Sequence, residues 1–155
     1  MRLWLVAVGR LRPGLRDVCD DYLRRLRRFI PVDEREVREA GRAATTSLQR
    51  DAEGRRLLDA LPGGARMILL DQAGTPWSSE ALARELERWR RAAVDCAFVI
   101  GGATGVSAAV RNRATVEWSL GPLTLPHELA RVVVAEQLYR ASTILRREPY
   151  HRGNR

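Results

Sequence analysis

Short apolar runs alternate with longer amphipathic segments along this chain, and the alternation predicts its elements. Apolar or alternating runs predict strands at residues 2 to 8, 32 to 39, 65 to 71, 95 to 100 and 115 to 119. Helical spacing predicts helices at residues 14 to 28, 46 to 60, 79 to 92, 107 to 113 and 127 to about 146. A loop is expected at residues 120 to 126. This order predicts an α/β fold in which helices cover a mostly parallel sheet.

Individual residues account for some of the predicted boundaries. Ser78 is expected to cap the helix that carries Leu82, Leu86 and Trp89 on one face. Segment 32 to 39 is rich in charged residues, so we expect this strand at an edge of the sheet.

Pro126 is expected to set the start of the last helix at residue 127, and Pro149 to limit its end near residue 146. Spacings of 4, 3 and 4 predict a buried stripe of Val134, Leu138, Ala141 and Leu145. The arginines of this helix are then left for its other faces. Glu136 lies in the apolar part of the helix and is either a buried, paired carboxylate or a surface charge.

Composition narrows the class of protein. A chain of 155 residues without repeats or linkers predicts one domain, spanning 1–155. No apolar run is long enough for a membrane helix, so no membrane partner is expected. Cys19 and Cys96 are far apart and have no CxxC or nearby His partner, so we expect reduced structural thiols, no metal and a cytoplasmic location.

The charge balance favours a polyanionic partner. The chain has 27 basic and 19 acidic residues, a net charge of +8, and every basic residue is an arginine. Codon preference would explain the absence of lysine, but it explains the charge excess less well. Guanidinium groups match phosphate oxygens and stack on bases, so nucleic acid is favoured over an acidic membrane or protein.

Three loops that follow predicted strands are the candidate ligand site, because ligands of α/β proteins bind at the carboxyl edge of the sheet. They are residues 70 to 74, 101 to 105 and 121 to 126, and all contain glycine. The Gly101-Gly102 pair fits a tight turn better than a known phosphate loop. The loop 121 to 126 is stiff and apolar, and is either a lining for an adenine ring or a rigid connection.

Two further groups could contribute chemistry. His127 starts the last helix, where the helix dipole disfavours a charged imidazole; it is either a cap or a neutral ring that accepts a proton. The tail from Tyr150 to Arg155 combines an aromatic ring, an imidazole and two guanidinium groups. Such a tail is either a frayed end or a means of stacking on a base and holding phosphate.

Several segments resemble a known family. They are residues 98–102 (FVIGG), 118–120 (WSL), 123–127 (LTLPH), 131–141 (RVVVAEQLYRA) and 149–152 (PYHR). Together they closely resemble the bacterial 23S rRNA pseudouridine-N3-methyltransferases of the SPOUT class, and the similarity extends over the whole chain. Relatives often have Pro and an acidic residue where this chain has Ala103 and Thr104, so we assign no catalytic role to that pair.

The resemblance implies an α/β sheet whose C-terminal third forms a trefoil knot, and a homodimer that binds S-adenosylmethionine in the knot loops without a metal. The implied cofactor contacts are Leu70, Gly102, Gly121, Pro122, Leu123, Thr124, Leu125 and Pro126. His127 is the candidate to take the proton from N3 of pseudouridine. The candidates to hold 23S rRNA or the ribosome are Arg131, Arg140, Tyr150, His151 and Arg152.

Three other functions are alternatives, and one of them, a doubly wound nucleotide-binding domain, lacks the expected glycine fingerprint. A SPOUT enzyme acting on another nucleotide, for example in tRNA, would share the fold and cofactor site. A ribosome-associated RNA-binding protein without catalysis would explain the charge, but not three glycine-containing loops at one sheet edge.

Overall fold

The computed structural model describes residues 1–41 and 45–152. Within them the strands are β1 (Leu3–Val8), β2 (Val32–Val37), β3 (Arg66–Thr75), β4 (Cys96–Ile100) and β5 (Val116–Trp118). The α-helices are α1 (Pro13–Leu26), α2 (Thr46–Ala60), α3 (Ser79–Arg91), α4 (Ala108–Arg113) and α5 (His127–Leu145). A 3₁₀ helix, Pro149–Arg152, follows α5. The predicted order of elements is therefore confirmed.

The strands form one parallel sheet in the order β2-β1-β4-β3-β5. The charged strand β2 lies at an edge, as its composition predicted. After β3 the chain moves inward to β4, next to β1, and then returns past β3 to β5. Since all strands are parallel, the loops after β3, β4 and β5 meet at one edge of the sheet. The threading of a trefoil knot stays a prediction.

Strand β3 runs to Thr75, four residues beyond its predicted end at 71. Leu70 and Thr75 both pair with Trp118, so residues 71 to 74 bulge out of the ladder between them. Gly74 lies so close to β5 that a Cβ atom would stand 2.6 Å from the carbonyl of Glu117. The extension was missed because it depends on this close contact and not on a local apolar pattern.

The sheet is covered on both faces, which makes its central strands apolar throughout. On one face α5 packs between α1 and α3 over a core that includes Trp89, Phe98 and Trp118. On the other face α2 and α4 cover Val6 and Val99, and Val110 of α4 belongs to the same core. Among the described residues no helix is long and apolar enough to cross a membrane.

Both cysteines are buried and unpaired. Burial raises the pKa of the Cys19 thiol and of the Cys96 thiol to about 12. Because the thiolate is the reactive form, both groups are inert at neutral pH. The prediction of reduced structural thiols is confirmed.

The cap of α3 and the end of α5 agree with the sequence predictions, whereas one position of the predicted buried stripe of α5 does not. Ser78 Oγ accepts a hydrogen bond from Ala81 N at 3.0 Å, so the predicted cap is confirmed. Helix α5 ends at Leu145, which confirms its predicted end near residue 146. Arg147 adopts a φ of 57°, and Glu148 N donates to Thr143 O at 2.9 Å. This left-handed ending turns the chain away, and Leu145 is exposed instead of completing the buried stripe.

Arg131 is fully buried, which corrects the expectation that it lies on an outer face and holds RNA. Its guanidinium donates to Val8 O (3.2 Å) and Gly9 O (2.9 Å) at the end of β1. It also forms ion pairs with Glu34 (3.1 Å) and Glu36 on β2. With these partners, Arg131 fixes the first turns of α5 to the sheet.

We expect Arg131→Leu to lower the free energy of unfolding by about 3 to 5 kcal/mol, because it leaves partly buried carboxylates without their cation. Denaturant titration measures this change. Arg12→Ala is the control: it removes the exposed ion pair of Arg12 with Glu128 on the same helix and is expected to cost less than about 1 kcal/mol. Equal stability of Arg131→Leu and wild type would contradict this structural role.

Candidate cofactor-binding site

The three predicted loops meet in one cleft of about 280 Å³ at the carboxyl edge of the sheet. It is lined by Leu70, Asp71, Gln72, Ile100, Gly101, Gly102, Gly105, Val106, Arg111, Trp118, Leu120, Leu123, Thr124, Leu125, His127 and Ala130. Leu70, Gly102, Leu123, Thr124, Leu125 and His127 are thus brought together as predicted. Gly121, Pro122 and Pro126 belong to the same loop but do not line the cleft.

The loop after β5 has a rigid backbone. Ser119 Oγ accepts from Gly121 N at 3.1 Å, and Gly121 has a φ of 113°, a conformation that favours glycine. Leu123 is 76% exposed at the rim, whereas Trp118 is buried at the base of the cleft. The loop therefore connects rigidly and also lines the cleft, while its contact with an adenine ring stays a prediction.

Gln72 joins the loop after β5 to the bulge in β3. Its Nε2 donates to Pro122 O at 3.1 Å and lies 3.4 Å from Thr124 Oγ1. The partners are 50 and 52 residues away in the chain, so no local pattern could have identified this contact. Gln72 fixes the distance between two walls of the cleft.

Arg111 supplies a permanent positive charge to the cleft wall. It forms an ion pair with Asp71 and lies 3.5 Å from Glu117. The hydrogen bond that Arg111 donates to Asp71 raises the pKa of the arginine, against the opposing effect of desolvation. Asp71 also accepts from Ala73 N at 2.8 Å, so the pair stabilises the bulge.

The loop after β4 is a tight glycine turn, as its spacing predicted, and it also lines the cleft. Gly105 N donates to Gly102 O at 3.1 Å, and Gly105 has a φ of 87°. A Cβ atom on Gly102 would lie 3.0 Å from Glu53 Oε1 and 3.1 Å from Val8. Glycine at 102 therefore lets the backbone pass close to this carboxylate.

Glu53 of α2 is a site residue that the sequence analysis missed. It is 2% exposed, and its Oε2 accepts from Ala40 N at 3.1 Å. Its Oε1 is buried beside Gly102 and has no hydrogen-bond partner in the described part of the chain. A buried carboxylate oxygen without a partner is costly. This oxygen lies directly behind Gly102, which lines the cleft, whereas Glu53 itself does not line it.

His127 is the first residue of α5 and lines the cleft. Its Nε2 lies 3.9 Å from Glu39 Oε1, which is too far for a hydrogen bond. The preceding residue, Pro126, is the N-cap and makes no side-chain cap hydrogen bond. Arg12 N donates instead to Glu128 at 2.7 Å. The imidazole thus faces the cleft and is not engaged as a cap.

The described part of the tail is docked on α5 and does not line its own cleft. Tyr150 OH donates to Glu136 Oε1 at 3.1 Å, and the Tyr150 ring lies 4.6 Å from that of Tyr139. Desolvation has the largest effect on the pKa of Tyr150 and raises it. A hydrogen bond with Tyr22 and the negative charge of Glu136 raise it further. The 3₁₀ helix shows that this part is not a frayed end, while residues 153–155 lie outside the described residues.

Glu136 is a paired, half-buried carboxylate, which settles the choice left open by its sequence position. It accepts from Arg140 Nε at 2.9 Å, and Arg140 also lies over the Tyr150 ring at 4.9 Å. Two of the candidate RNA-binding residues, Arg140 and Tyr150, are therefore held against each other. Arg152 is exposed, and His151 Nδ1 is buried with no hydrogen-bond partner among the residues that the structure describes.

The cleft offers the groups that S-adenosylmethionine needs. Leu70, Trp118 and Leu125 form an apolar wall suited to an adenine ring, and the glycine turn exposes backbone polar groups. Glu53 Oε1, which has no hydrogen-bond partner among the described residues, is a potential acceptor directly behind Gly102. Within the described residues no cluster of metal-ligating side chains occurs. The residues present fit the cofactor.

Comparison with solved structures supports the fold. A crystal structure of a probable methyltransferase from Bordetella pertussis Tohama I superposes with a TM-score of 0.57, covers 91% of this chain and 96% of its own, and is 16% identical. A probable methylase family protein from Haemophilus influenzae Rd KW20 has a TM-score of 0.54 and 10% identity, covering 96% of this chain and 69% of its own.

Sequence comparison gives more similar relatives, each named ribosomal RNA large subunit methyltransferase H. The protein of Anaeromyxobacter sp. strain Fw109-5 is 47% identical, covering 98% of this chain and 100% of its own. That of Xanthomonas euvesicatoria pv. vesicatoria strain 85-10 is 44% identical, covering 99% and 100%. The family model described as predicted SPOUT methyltransferase matches residues 1–151. The chain belongs to the SPOUT methyltransferase family.

Proposed function

We propose that this chain is the S-adenosylmethionine-dependent enzyme that methylates N3 of a pseudouridine in 23S rRNA, acting in the cytoplasm on rRNA or the ribosome. The observation that carries the proposal is the meeting of three loops in one cleft beside His127. The full-length relatives whose name specifies ribosomal RNA of the large subunit support the substrate class. The excess of arginine fits a polyanionic substrate.

The cofactor supplies a methyl group bonded to a positively charged sulfur, which a nucleophile can displace in line. The protein's task is then to bind and orient the reactants in near-attack geometry. Leu70, Gly102 and residues 121–126 hold the cofactor in this proposal. Of the last segment, Leu123, Thr124 and Leu125 line the cleft, while Gly121, Pro122 and Pro126 shape its backbone.

His127 is the proposed proton acceptor. N3 of pseudouridine is an imide N–H, and it must lose its proton for the nitrogen to carry the methyl group. The His127 imidazole lines the cleft without a hydrogen-bonded cap role, and the nearest carboxylate, Glu39, stands 3.9 Å from its Nε2. Glu39 is placed to stabilise the imidazolium that forms when the proton is taken.

We also propose that the enzyme works as a homodimer in which the tail of one subunit completes the cleft of the other. The tail residues Tyr150, His151 and Arg152 do not line their own cleft. Tyr150 is held beside Glu136, nine residues and about 14 Å along α5 from His127. A tail fixed at this distance can assist the reaction in a second copy of the chain.

Large ribosomal subunits from a strain without the gene are expected to lack one methyl group on a pseudouridine, which purified protein and S-adenosylmethionine restore. His127→Ala is expected to restore it about 10² to 10⁴ times more slowly, with unchanged cofactor affinity. Mass spectrometry of rRNA fragments and single-turnover rates measure these effects. No change in rRNA mass would reject the substrate; an unchanged rate would remove His127 from the mechanism.

Glu53→Gln is expected to weaken S-adenosylmethionine binding about tenfold or more, because a charged acceptor of a cofactor donor is lost. Calorimetry measures the affinity. Without cofactor the variant is expected to be at least as stable as wild type, since it loses a buried charge that has no cation partner in residues 1–41 and 45–152. Asp51→Asn, on the exposed side of the same helix, is the matched control. Equal affinities of Glu53→Gln and wild type would contradict this role.

The dimer proposal predicts complementation between two inactive variants. Homodimers of His127→Ala and homodimers of Arg152→Ala are each expected to be slow. In either homodimer, every site combines the cleft of one chain with the tail of the other, and one of these two parts is altered. In a mixed dimer, the intact cleft of one chain meets the intact tail of the other, so activity returns. Differently tagged chains, co-expressed and purified through both tags, provide the measurement. A mixed dimer as slow as both parents would show that each tail serves its own cleft.

A further inference from the structure

A second cleft lies at the opposite edge of the sheet from the cofactor site. It measures about 490 Å³ and is called the arginine cleft: its lining is Phe29, Ile30, Glu87, Arg90, Arg91, Ser142, Leu145 and Arg146. It forms where α1, α3 and α5 end. Because α5 has 19 residues, the two clefts stand about 28 Å apart.

Phe29 lines this cleft and contacts two arginines: Arg146, which also lines the cleft, and Arg28, which lies beside it. The guanidinium of Arg28 lies 5.7 Å from the centre of the Phe29 ring, and that of Arg146 lies 5.1 Å from it. Phe29 in turn stacks on Tyr139 at 6.2 Å, which fixes the ring. A guanidinium over an aromatic face keeps its N–H donors directed outward and loses less entropy when it binds a ligand.

The charge of the arginine cleft is not neutralised from within. The ion pairs of this region join Asp21 to Arg24 and Arg25, and Glu87 to Arg90 and Arg91. Among the described residues, no carboxylate lies within ion-pair distance of Arg28 or Arg146. Both side chains are exposed. Two ordered guanidinium groups therefore have donors available to an external anion.

Compensation of the helix dipoles does not account for this cluster. Arg90 and Arg91 lie in the last turn of α3, where a cation offsets the negative helix end. Arg28 and Arg146 lie beyond the last residues of α1 and α5 and stack on Phe29 instead. The lining carries three arginines and Glu87, and with three helix ends of about half a negative charge each its net charge is about +0.5. Arg28 beside the cleft raises the local net charge to about +1.5.

We propose that the arginine cleft binds phosphodiester groups of the RNA substrate, at a site separate from the cofactor cleft. This inference rests on the proposed function. Arginine forks match phosphate oxygens. Arg146 in the cleft and Arg28 beside it provide two such forks that have no carboxylate partner among the described residues. A folded RNA that extends along the length of α5 contacts both clefts. One small chain therefore binds its substrate at the cofactor cleft and at the arginine cleft.

The test compares two double variants that lose the same charge. Arg28→Gln/Arg146→Gln alters the arginine cleft, and Arg55→Gln/Arg84→Gln removes two exposed arginines outside it. The probe is unmethylated large ribosomal subunits, titrated at several salt concentrations. The cleft variant is expected to bind about tenfold more weakly near 0.1 M salt and to lower the salt slope by about 1.5, with cofactor affinity unchanged.

The outcomes separate this inference from the proposed function. A full effect in the cleft variant and little in the control pair supports the phosphate site. Equal effects in both pairs would overturn it, because the charge would then act only through the long-range field. A cleft variant that loses its dimeric size would overturn it in favour of a contact between copies. Wild-type protein that binds no subunits would reject the inference and the substrate proposal together.

Discussion

The buried guanidinium of Arg131 is the constraint on which the site geometry depends. It joins the first turns of α5 to the carbonyl ends of β1 and to the carboxylates of β2. Glu34 also binds Arg16 of α1, so one network crosses α1, β1, β2 and α5. Because His127 lies one turn before Arg131, this anchor sets where the imidazole meets the cleft.

The cleft shows how a small sheet supplies a site without a second domain. Three strand ends provide backbone turns, and two long-range side-chain contacts set the spacing between them: Gln72 to the loop after β5, and Arg111 to Asp71. Glu53 adds a carboxylate from the other face of the sheet. The proposed cofactor contacts therefore depend on helices α2 and α4 as much as on the loops.

Arginine serves two opposed purposes in this chain. Arg131 and Arg16 form ion pairs with carboxylates of β2, and their role is structural. Arg28 and Arg146 rest on an aromatic ring beyond the ends of their helices and keep their donors outward. The same side chain thus acts as a buried anchor at one end of α5 and as a surface donor at the other, and only its neighbours decide which.

The sequence alone determined the order of elements, the edge position of β2, the Ser78 cap and the three ligand loops, because these depend on local periodicity, charge and turn residues. Its similarity to a known family placed the cofactor contacts in those loops. The tertiary structure decided that Arg131 is buried, because its partner Glu34 is 97 residues away in the chain. It likewise decided the extension of β3 against β5, the docking of Tyr150 and the place of Glu53. These features arise from contacts between distant segments, and local patterns carry no information about them.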